Sequence, residues 1–196
     1  MNVTSTPRRV LRPTPRRIYV FGASGSGTTT LGAALGRALQ LTHLELDDFY
    51  WQHTPLAYTV KNPPRVRVEL IRQRLQGVDE WVLSGGSLHA WGEVFVPELT
   101  LAVFLQLPSE ERMARLHERE RQRYGDTLRS DDALRERHEA FLLWAEGYET
   151  VGKGDRSRLR HEAWMAEMAG LGLPLLKLDS RAPVDALVAA VRQQLA

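Results

Sequence analysis

Residues 17–35 read RIYVFGASGSGTTTLGAAL, and the order of residue types in this stretch decides the fold. The β-branched and aromatic run at 17–22 is typical of a buried strand. A glycine-rich turn follows, and the alanine- and leucine-rich segment 29–41 predicts a helix with one apolar face. A strand, a glycine turn and a helix in direct succession indicate the start of a parallel βαβ unit.

The rest of the chain continues the alternation of strands and helices. Segment 99–107 (LTLAVFLQL) is almost entirely apolar, as expected of a central strand buried on both faces. Such alternation predicts an α/β fold with a parallel sheet of five strands and helices on both faces. The other predicted strands are 43–47, 81–84 and 173–178, and the predicted helices are 66–76, 109–123 with Ser109 as N-cap, an irregular region at 126–170, and 183–195.

The charge distribution separates a short N-terminal segment from the rest. Residues 1–17 carry five arginines and no acidic residue, which leaves 21 basic against 24 acidic residues in the remainder. A body with that balance does not suit nucleic acid. We expect residues 1–16 to form a basic, flexible arm, for which weak polyanion binding stays open, and 17–196 to form one domain with a helical lid insertion at about 124–160.

The composition excludes several classes of protein. There is no cysteine, so disulfides and cysteine-ligated metal sites are excluded. No run of about 18 apolar residues is present, and the first 17 residues lack the apolar core of a signal peptide. We therefore expect a cytoplasmic protein without a membrane partner.

The glycine turn matches a phosphate-binding pattern. Compared with G-x-x-x-x-G-K-[ST], the sequence has Gly22, Gly27 and Thr29 in place, but Thr28 stands where the lysine belongs. Glycines let successive N–H groups point at phosphate oxygens, and the helix N-terminus adds its positive end. The predicted phosphate-binding residues are Gly22, Ala23, Ser24, Gly25, Ser26, Gly27, Thr28, Thr29 and Thr30.

Two other interpretations of this turn stay open. It could be a plain glycine-rich turn of an α/β protein, or a dinucleotide turn in which Asp47 would hold a ribose. Three consecutive threonines favour phosphate and Mg²⁺, with the Thr29 hydroxyl as a metal ligand. Because Thr28 carries no charge, another cation has to neutralise the phosphates, and 23 of the 26 basic residues are arginines.

Asp47 and Asp48 follow the second strand, at the sheet edge where open α/β proteins bind ligands. We expect one carboxylate, with Asp47 as a metal-site candidate, to hold Mg²⁺ through water and the other to accept a proton from a substrate hydroxyl. A helix N-cap or a solvated turn is the alternative. The aromatic residues at 49–51 either wall an acceptor pocket or pack under the next loop.

A row of arginines follows the fourth strand. Arg112, Arg115, Arg119 and Arg123 recur at spacings of three and four, which places them on one helix face. Such a face is either solvated or part of a lid whose cations stabilise charge during phosphoryl transfer. The candidates are Arg115 and Arg119, followed by Arg156 and Arg158.

Four segments, 22–32, 46–51, 81–86 and 103–119, resemble P-loop small kinases of the nucleoside-monophosphate-kinase and shikimate-kinase type. Within that group the chain is most similar to the adenylate-kinase-related proteins labelled DNA topology modulation proteins. The resemblance implies a three-layer P-loop NTPase fold with sheet order 2-3-1-4-5, ATP as donor, Mg²⁺ and an arginine lid. It also implies that Arg115 and Arg119 contact nucleotide, and Arg129, Asp131 and Asp132 are similar to the lid.

Together these features predict an ATP-dependent phosphotransferase whose acceptor is a nucleoside, a nucleotide or a small hydroxylated metabolite. A non-catalytic nucleotide-binding regulator and a nucleic-acid-associated protein are the alternatives. We expect a monomer or a homodimer, with a nucleoside triphosphate and a small molecule, rather than nucleic acid, as its partners. The acceptor half carries no recognisable monophosphate-binding signature, so the sequence does not name the acceptor.

Overall fold

The computed structural model describes residues 14–54, 58–86, 88–150 and 156–195. Most of the predicted basic arm, residues 1–13, therefore lies outside the described residues. Arg16, the last residue of that arm, is bound to the body. Its backbone N–H and its guanidinium both donate to the Glu80 carboxylate, and its carbonyl accepts from the Trp81 N–H.

Five strands form one parallel sheet in the order β2-β3-β1-β4-β5, which confirms the predicted α/β class and strand order. Strand β1 lies in the centre, with Tyr19 opposite Leu83 of β3 on one side and Ala102 of β4 on the other. The strands are β1 (Arg17–Gly22), β2 (Thr42–Glu45), β3 (Trp81–Ser84), β4 (Leu101–Gln106) and β5 (Leu175–Asp179).

The helices connect these strands and cover the sheet. They are α1 (Thr28–Leu39), α2 (Asp47–Tyr50), α3 (Pro64–Arg74), α4 (Leu88–Trp91), α5 (Ser109–Tyr124), α6 (Thr127–Ser130), α7 (Asp132–Glu146), α8 (Arg158–Gly170) and α9 (Val184–Gln194). Two 3₁₀ segments, Glu93–Glu98 and Gly147–Glu149, complete the described structure. Within the described ranges, no helix combines the length and the apolar character that crossing a bilayer requires.

Both faces of the sheet are buried, which gives three layers. Along β1, Tyr19 and Phe21 face one side while Ile18 and Val20 face the other, and all four are almost completely buried. Helices α3 and α8 supply apolar side chains to the first side, and α1 and α9 supply them to the second. On the first side Trp164 of α8 packs edge-on against the stacked rings of Tyr19 and Phe21.

Two predicted details are wrong. The second strand, predicted over 43–47, ends at Glu45, so Asp47 lies with Asp48 in the short helix α2 and not in the strand. Ser109 is the first residue of α5, and Pro108 is its N-cap, without a side-chain capping bond. Pro108 has φ −52° and ψ 147°, an extended conformation, and the helix begins directly after it, one residue earlier than an N-cap at Ser109 predicts.

The core contains a buried imidazole. His161 of α8 is fully buried between Phe21 and Phe104, and its Nδ1 is 2.8 Å from the Tyr148 hydroxyl. Burial lowers the pKa of His161 to about 3, and the nearby Arg156 and His89 act in the same direction. The folded chain therefore holds this side chain neutral at a pH where the unfolded chain would protonate it.

This difference predicts that acid destabilises the protein through His161. Because the pKa is lowered on folding, the contribution to stability falls as the pH drops below about 6.5, by up to about 1.4 kcal/mol per pH unit. Between pH 7 and pH 5, His161→Gln should lose about 2 kcal/mol less unfolding free energy than the wild type. Urea unfolding at the two pH values measures the difference, with His117→Gln, an exposed histidine on α5, as the control. Equal losses in wild type and His161→Gln would contradict a neutral buried imidazole.

Candidate functional site

The glycine loop, residues 22–30, joins the end of β1 to the start of α1. Gly25 and Gly27 have φ of 83° and 89°, a left-handed conformation that side chains disfavour. A Cβ atom on Gly25 would also lie only 2.8 Å from the Arg112 carbonyl oxygen of α5. The loop therefore turns tightly against the helix that follows β4, and the glycine at 25 permits that approach.

The backbone N–H groups of this loop are largely unused by the protein. Ser26 N–H donates to the Ala23 carbonyl at 3.1 Å, and Leu31 N–H donates to Gly27. No hydrogen bond to a described residue is made by the N–H groups of Ser24, Gly25, Gly27, Thr28, Thr29 and Thr30. Six such donors at a helix N-terminus form a site suited to an anion with several oxygens, which is what a polyphosphate is.

Thr29 is paired with an acid that the sequence analysis did not select. Its hydroxyl donates to Glu45 Oε1 at 2.8 Å, at the end of β2. Burial raises the pKa of Glu45, the Thr29 hydrogen bond opposes this, and the charges of Asp47 and Asp48 raise the pKa further. The sequence did contain a signal for Glu45. Side chains alternate from one side of a strand to the other, so Leu44 and Leu46 lie in the core while Glu45 between them does not.

The oxygen donors of Thr29 and Glu45 fit Mg²⁺. Mg²⁺ prefers oxygen ligands and commonly uses one or two carboxylates together with substrate phosphates and water. Among the described residues no group of three or more acidic or histidine side chains is arranged to hold a metal by itself. The Thr29 hydroxyl and the Glu45 carboxylate would therefore hold the ion together with phosphate oxygens, and Glu45, not the predicted ligand Asp47, is the carboxylate bonded to Thr29.

The two predicted aspartates differ in exposure. Asp47, the first residue of α2, is half-buried, and its charge influences both Glu45 and the Tyr19 hydroxyl. Asp48 is exposed and its charge acts on His43. The aromatic residues beside them also divide, since Phe49 is buried in the core whereas residues 50 and 51 remain partly exposed.

Arg112 of α5 holds the glycine loop in place through its buried side chain. Its side chain is fully buried, and Nη1 donates to the Ser24 carbonyl at 3.1 Å and to the Ala145 carbonyl at 3.3 Å. Nη2 pairs with Glu149 at 2.7 Å, and the guanidinium lies 5.1 Å from the Tyr148 ring centre. Arg112 belongs to the arginine row but was not among the four candidates. The sequence held only a weak signal, the spacing of four residues between Arg112 and Leu116, which puts both on one face of α5.

Two of the four selected arginines contact the loop region. Arg156 donates to Ser24 Oγ at 3.1 Å. Arg115 donates to Ser180 Oγ and to the Ser180 carbonyl, both at 3.2 Å, and the Ser180 hydroxyl in turn donates to the Ser26 carbonyl. Ser180 follows β5 and was not selected from the sequence, where nothing distinguishes it from other serines in turns.

The other two selected arginines are placed differently. Arg119 donates to the neighbouring Glu120 at 3.0 Å, yet its charge still lowers the pKa of Glu45. Arg158 is exposed and pairs with Glu162 one turn further along α8, at 2.8 Å. The structure thus brings Arg112, Arg115 and Arg156 to the glycine loop and leaves Arg158 on the surface.

The segment that resembles a lid begins a helix. The Asp131 side chain accepts from the Leu134 N–H at 2.9 Å, which caps α7. Arg129 is exposed and pairs with Asp126 at 3.4 Å. Of the other predicted lid positions, residues 151–155 lie outside the described residues.

The glycine loop predicts unequal effects of two similar substitutions. Gly25→Ala meets both the left-handed φ and the Arg112 carbonyl, whereas Gly27→Ala meets only the φ, since its nearest atom would be Ser180 Oγ at 3.5 Å. The left-handed conformation costs roughly 1–2 kcal/mol and the overlap costs about 1–3 kcal/mol more. Urea unfolding should show Gly25→Ala to be the less stable variant by at least about 1 kcal/mol. The reverse order would contradict the packing of the loop against α5.

Comparison with known proteins gives one informative relative. No model of a protein family matches the chain. Among solved structures, an unliganded sugar kinase from Janibacter sp. HTCC2649 aligns with a TM-score of 0.48 and 18% identity over 92% of this chain and 94% of that one. A gluconokinase from Sinorhizobium meliloti 1021 aligns with a TM-score of 0.47 and 16% identity over 94% and 93%.

The informative relative is the uncharacterized protein YqaC of Bacillus subtilis (strain 168). It is 38% identical over 170 residues, which cover 87% of this chain and 92% of the relative. Identity at this level over nine-tenths of the relative shows that the two chains belong to one family. The chain belongs to the YqaC family.

Proposed function

We propose that this chain is an ATP-dependent kinase of a small hydroxylated molecule, of the P-loop small-kinase type. The observation that carries the proposal is the glycine loop, where six backbone N–H groups at the N-terminus of α1 have no partner among the described residues. Donors left unused in a tight turn are suited to the oxygens of a triphosphate. The resemblance of 22–32 and 103–119 to adenylate-kinase-related proteins, including those labelled DNA topology modulation proteins, supports the same assignment.

The charge missing at Thr28 would come from arginines. Arg112 donates to two backbone carbonyls and pairs with Glu149, so its role is to hold the loop. Among the described residues Arg156 donates one hydrogen bond, to Ser24 Oγ, and lies 6.0 Å from the Trp144 ring centre, so it can turn to a phosphate at small cost. Arg115, anchored on Ser180, supplies a second cation at the opposite side of the loop. Both would stabilise the charge that develops during transfer.

Thr29 and Glu45 would hold Mg²⁺, which when bound neutralises phosphate charge. Asp47 is the better candidate for accepting the proton of the acceptor hydroxyl, because it is half-buried beside Glu45 while Asp48 is exposed. Phosphoryl transfer then joins the terminal phosphate to the acceptor oxygen and releases ADP, and the hydroxyl proton passes to Asp47. We further propose that 17–196 act as one cytoplasmic kinase domain, monomeric or homodimeric, whose segment 124–160 covers the nucleotide.

One observation favours a second candidate function. Thr28 occupies the position of the lysine that P-loop kinases use, so the chain could bind nucleotide as a regulator without transferring phosphate. Both functions require nucleotide binding, and only the kinase requires ADP release that depends on an acceptor.

Nucleotide binding and turnover separate these functions. Isothermal titration with Mg²⁺-ATP should show binding at submillimolar Kd, and coupled ADP release across nucleosides, nucleotides and small hydroxylated acids should rise with an acceptor. Binding without acceptor-dependent ADP release supports the regulator. No binding at millimolar nucleotide would contradict both functions.

Restoring the absent lysine tests the site itself. Thr28→Lys adds a charge-assisted hydrogen bond to the phosphates, worth about 1.5–3 kcal/mol, and should tighten Mg²⁺-ATP binding at least about 10-fold. Gln40→Lys at the far end of α1 adds the same charge and should leave the Kd unchanged. Unchanged or weaker binding by Thr28→Lys would argue against phosphates in this loop.

The proposed base predicts a rate effect without a binding effect. Asp47→Asn should lower kcat by about 100-fold or more and leave the Kd of Mg²⁺-ATP nearly unchanged, because general base catalysis typically contributes 10²–10⁴. Asp48→Asn, next to it but exposed, is the matched control and should keep most activity. If Asp48→Asn instead lowers kcat more than Asp47→Asn does, Asp48 and not Asp47 accepts the proton.

A further inference from the structure

Arg67 is a buried cation without a counter-charge in the described structure. It lies on α3 and is 6% exposed, and its Nε donates to the Asn62 carbonyl at 2.7 Å. Its guanidinium carbon is 3.8 Å from the ring centre of Tyr50 and 5.3 Å from that of Trp91. Within the ranges that the structure describes, Nη1 and Nη2 make no hydrogen bond and Arg67 forms no ion pair.

Arg112 is a buried arginine of this chain that does have a counter-charge. Its side chain is completely buried, and it has a carboxylate partner in Glu149 as well as two backbone carbonyls. Charged groups are removed from water only at high cost unless they are paired. The aromatic faces around Arg67 and one carbonyl offset part of that cost. These contacts do not neutralise the positive charge of Arg67, and its Nη1 and Nη2 can still donate to a ligand.

The surroundings of Arg67 do not supply the missing anion. Glu69, the acidic residue on the same helix, pairs with Arg65 at 3.0 Å. Lys61 adds a second cation, with Nζ 5.6 Å from the Tyr50 ring centre, and it too forms no ion pair with a described residue. Two positive charges therefore lie close to a single tyrosine ring.

The position of this cluster relates it to the glycine loop. Tyr50 belongs to α2, which follows β2, and Trp91 belongs to α4, which follows β3. These strands lie next to β1, and the position of a Cβ atom on Gly85, after β3, is 3.8 Å from Thr28 Oγ1. Asp47 stands at the first position of the helix that carries Tyr50. The cluster thus lies at the carboxyl ends of the strands, the same edge of the sheet as the loop.

We propose that Arg67 binds an anionic group of the phosphate acceptor, so that the acceptor is a hydroxylated carboxylic acid or phosphate ester and not a neutral sugar or nucleoside. This inference rests on the proposed function above, whose acceptor class it narrows. The planar guanidinium fork binds the two oxygens of a carboxylate or phosphate in a bidentate arrangement, and the Tyr50 ring holds the fork in place. Lys61 adds a second positive charge that attracts the anion. Asp47, which lies on the same short helix α2 as Tyr50, would face the acceptor hydroxyl.

Matched pairs of compounds test this proposal through binding alone. Isothermal titration would compare glycerol with glycerol 3-phosphate, ribose with ribose 5-phosphate, adenosine with AMP, and glucose with gluconate. In at least one pair the anionic compound should bind at least about 30-fold more tightly than its neutral partner, as expected when a buried charge pair is completed. Tighter binding of gluconate than of glucose would identify the acceptor's anionic group as a carboxylate. Tighter binding of the phosphorylated compound in another pair would identify it as a phosphate.

Two variants identify the residue responsible. Arg67→Gln should abolish the preference for the anionic compound, while Arg65→Gln, which removes the same charge from an exposed site on the same helix, should retain it. If Arg67→Gln does not fold, Arg67→Lys keeps the charge but loses the fork and should weaken anion binding about 10-fold. The proposal is overturned if neutral and anionic compounds bind equally, if no anionic compound binds at millimolar concentration, or if the preference survives in the Arg67 variant.

Titration of Mg²⁺-ATP on the same proteins separates this inference from the proposed function. Arg67→Gln should bind nucleotide like the wild type, because the residue lies apart from the glycine loop and its arginines. An anion preference that depends on Arg67 in a protein that does not bind ATP would support the anion site and refute the kinase.

Discussion

The tight packing of the glycine loop against the end of β4 and the start of α5 is the constraint on which this structure depends. Gly25 approaches the Arg112 carbonyl so closely that a side chain would overlap it, and the Arg112 guanidinium returns to hold the Ser24 carbonyl from the other side. The Arg112 guanidinium and the Ser180 hydroxyl bind the carbonyl oxygens of Ser24 and Ser26, while six N–H groups of the loop have no partner among the described residues. So many unpaired backbone donors are suited to an anion.

Arginine takes three distinct roles around this centre. Arg112 is buried, paired and structural, since the loss of Glu149 alone would leave its charge without compensation. Arg115 and Arg156 are held near the loop by single serines, and can supply the positive charge that Thr28 lacks. Arg67 is buried but forms no ion pair with a described residue, and we propose that it binds the acceptor. The scarcity of lysine in this chain is consistent with these roles, because the guanidinium fork satisfies carbonyls, carboxylates and phosphates alike.

Membership of the YqaC family adds no activity, since the relative is itself uncharacterized. The functional argument therefore comes from the loop, from the oxygen pair of Thr29 and Glu45, and from the cations around them. These groups lie at the carboxyl ends of β1 and β2, the edge of a parallel sheet where ligands bind. The unused donors are suited to phosphate, and the unpaired Arg67 is suited to an acidic acceptor.

The sequence by itself determined the layered α/β fold, the strand positions to within about two residues and the glycine loop, because alternation of residue types and glycine spacing are local properties. It also predicted the arginines that reach the loop, Arg115 and Arg156, together with Arg158, which instead lies on the surface. Only the tertiary structure decided that Glu45 pairs with Thr29, that Arg112 is buried against Ser24, and that Ser180 links Arg115 to the loop. Those partners are 16, 88 and up to 154 residues apart in the chain, and no local pattern records which distant residues meet at the edge of a sheet.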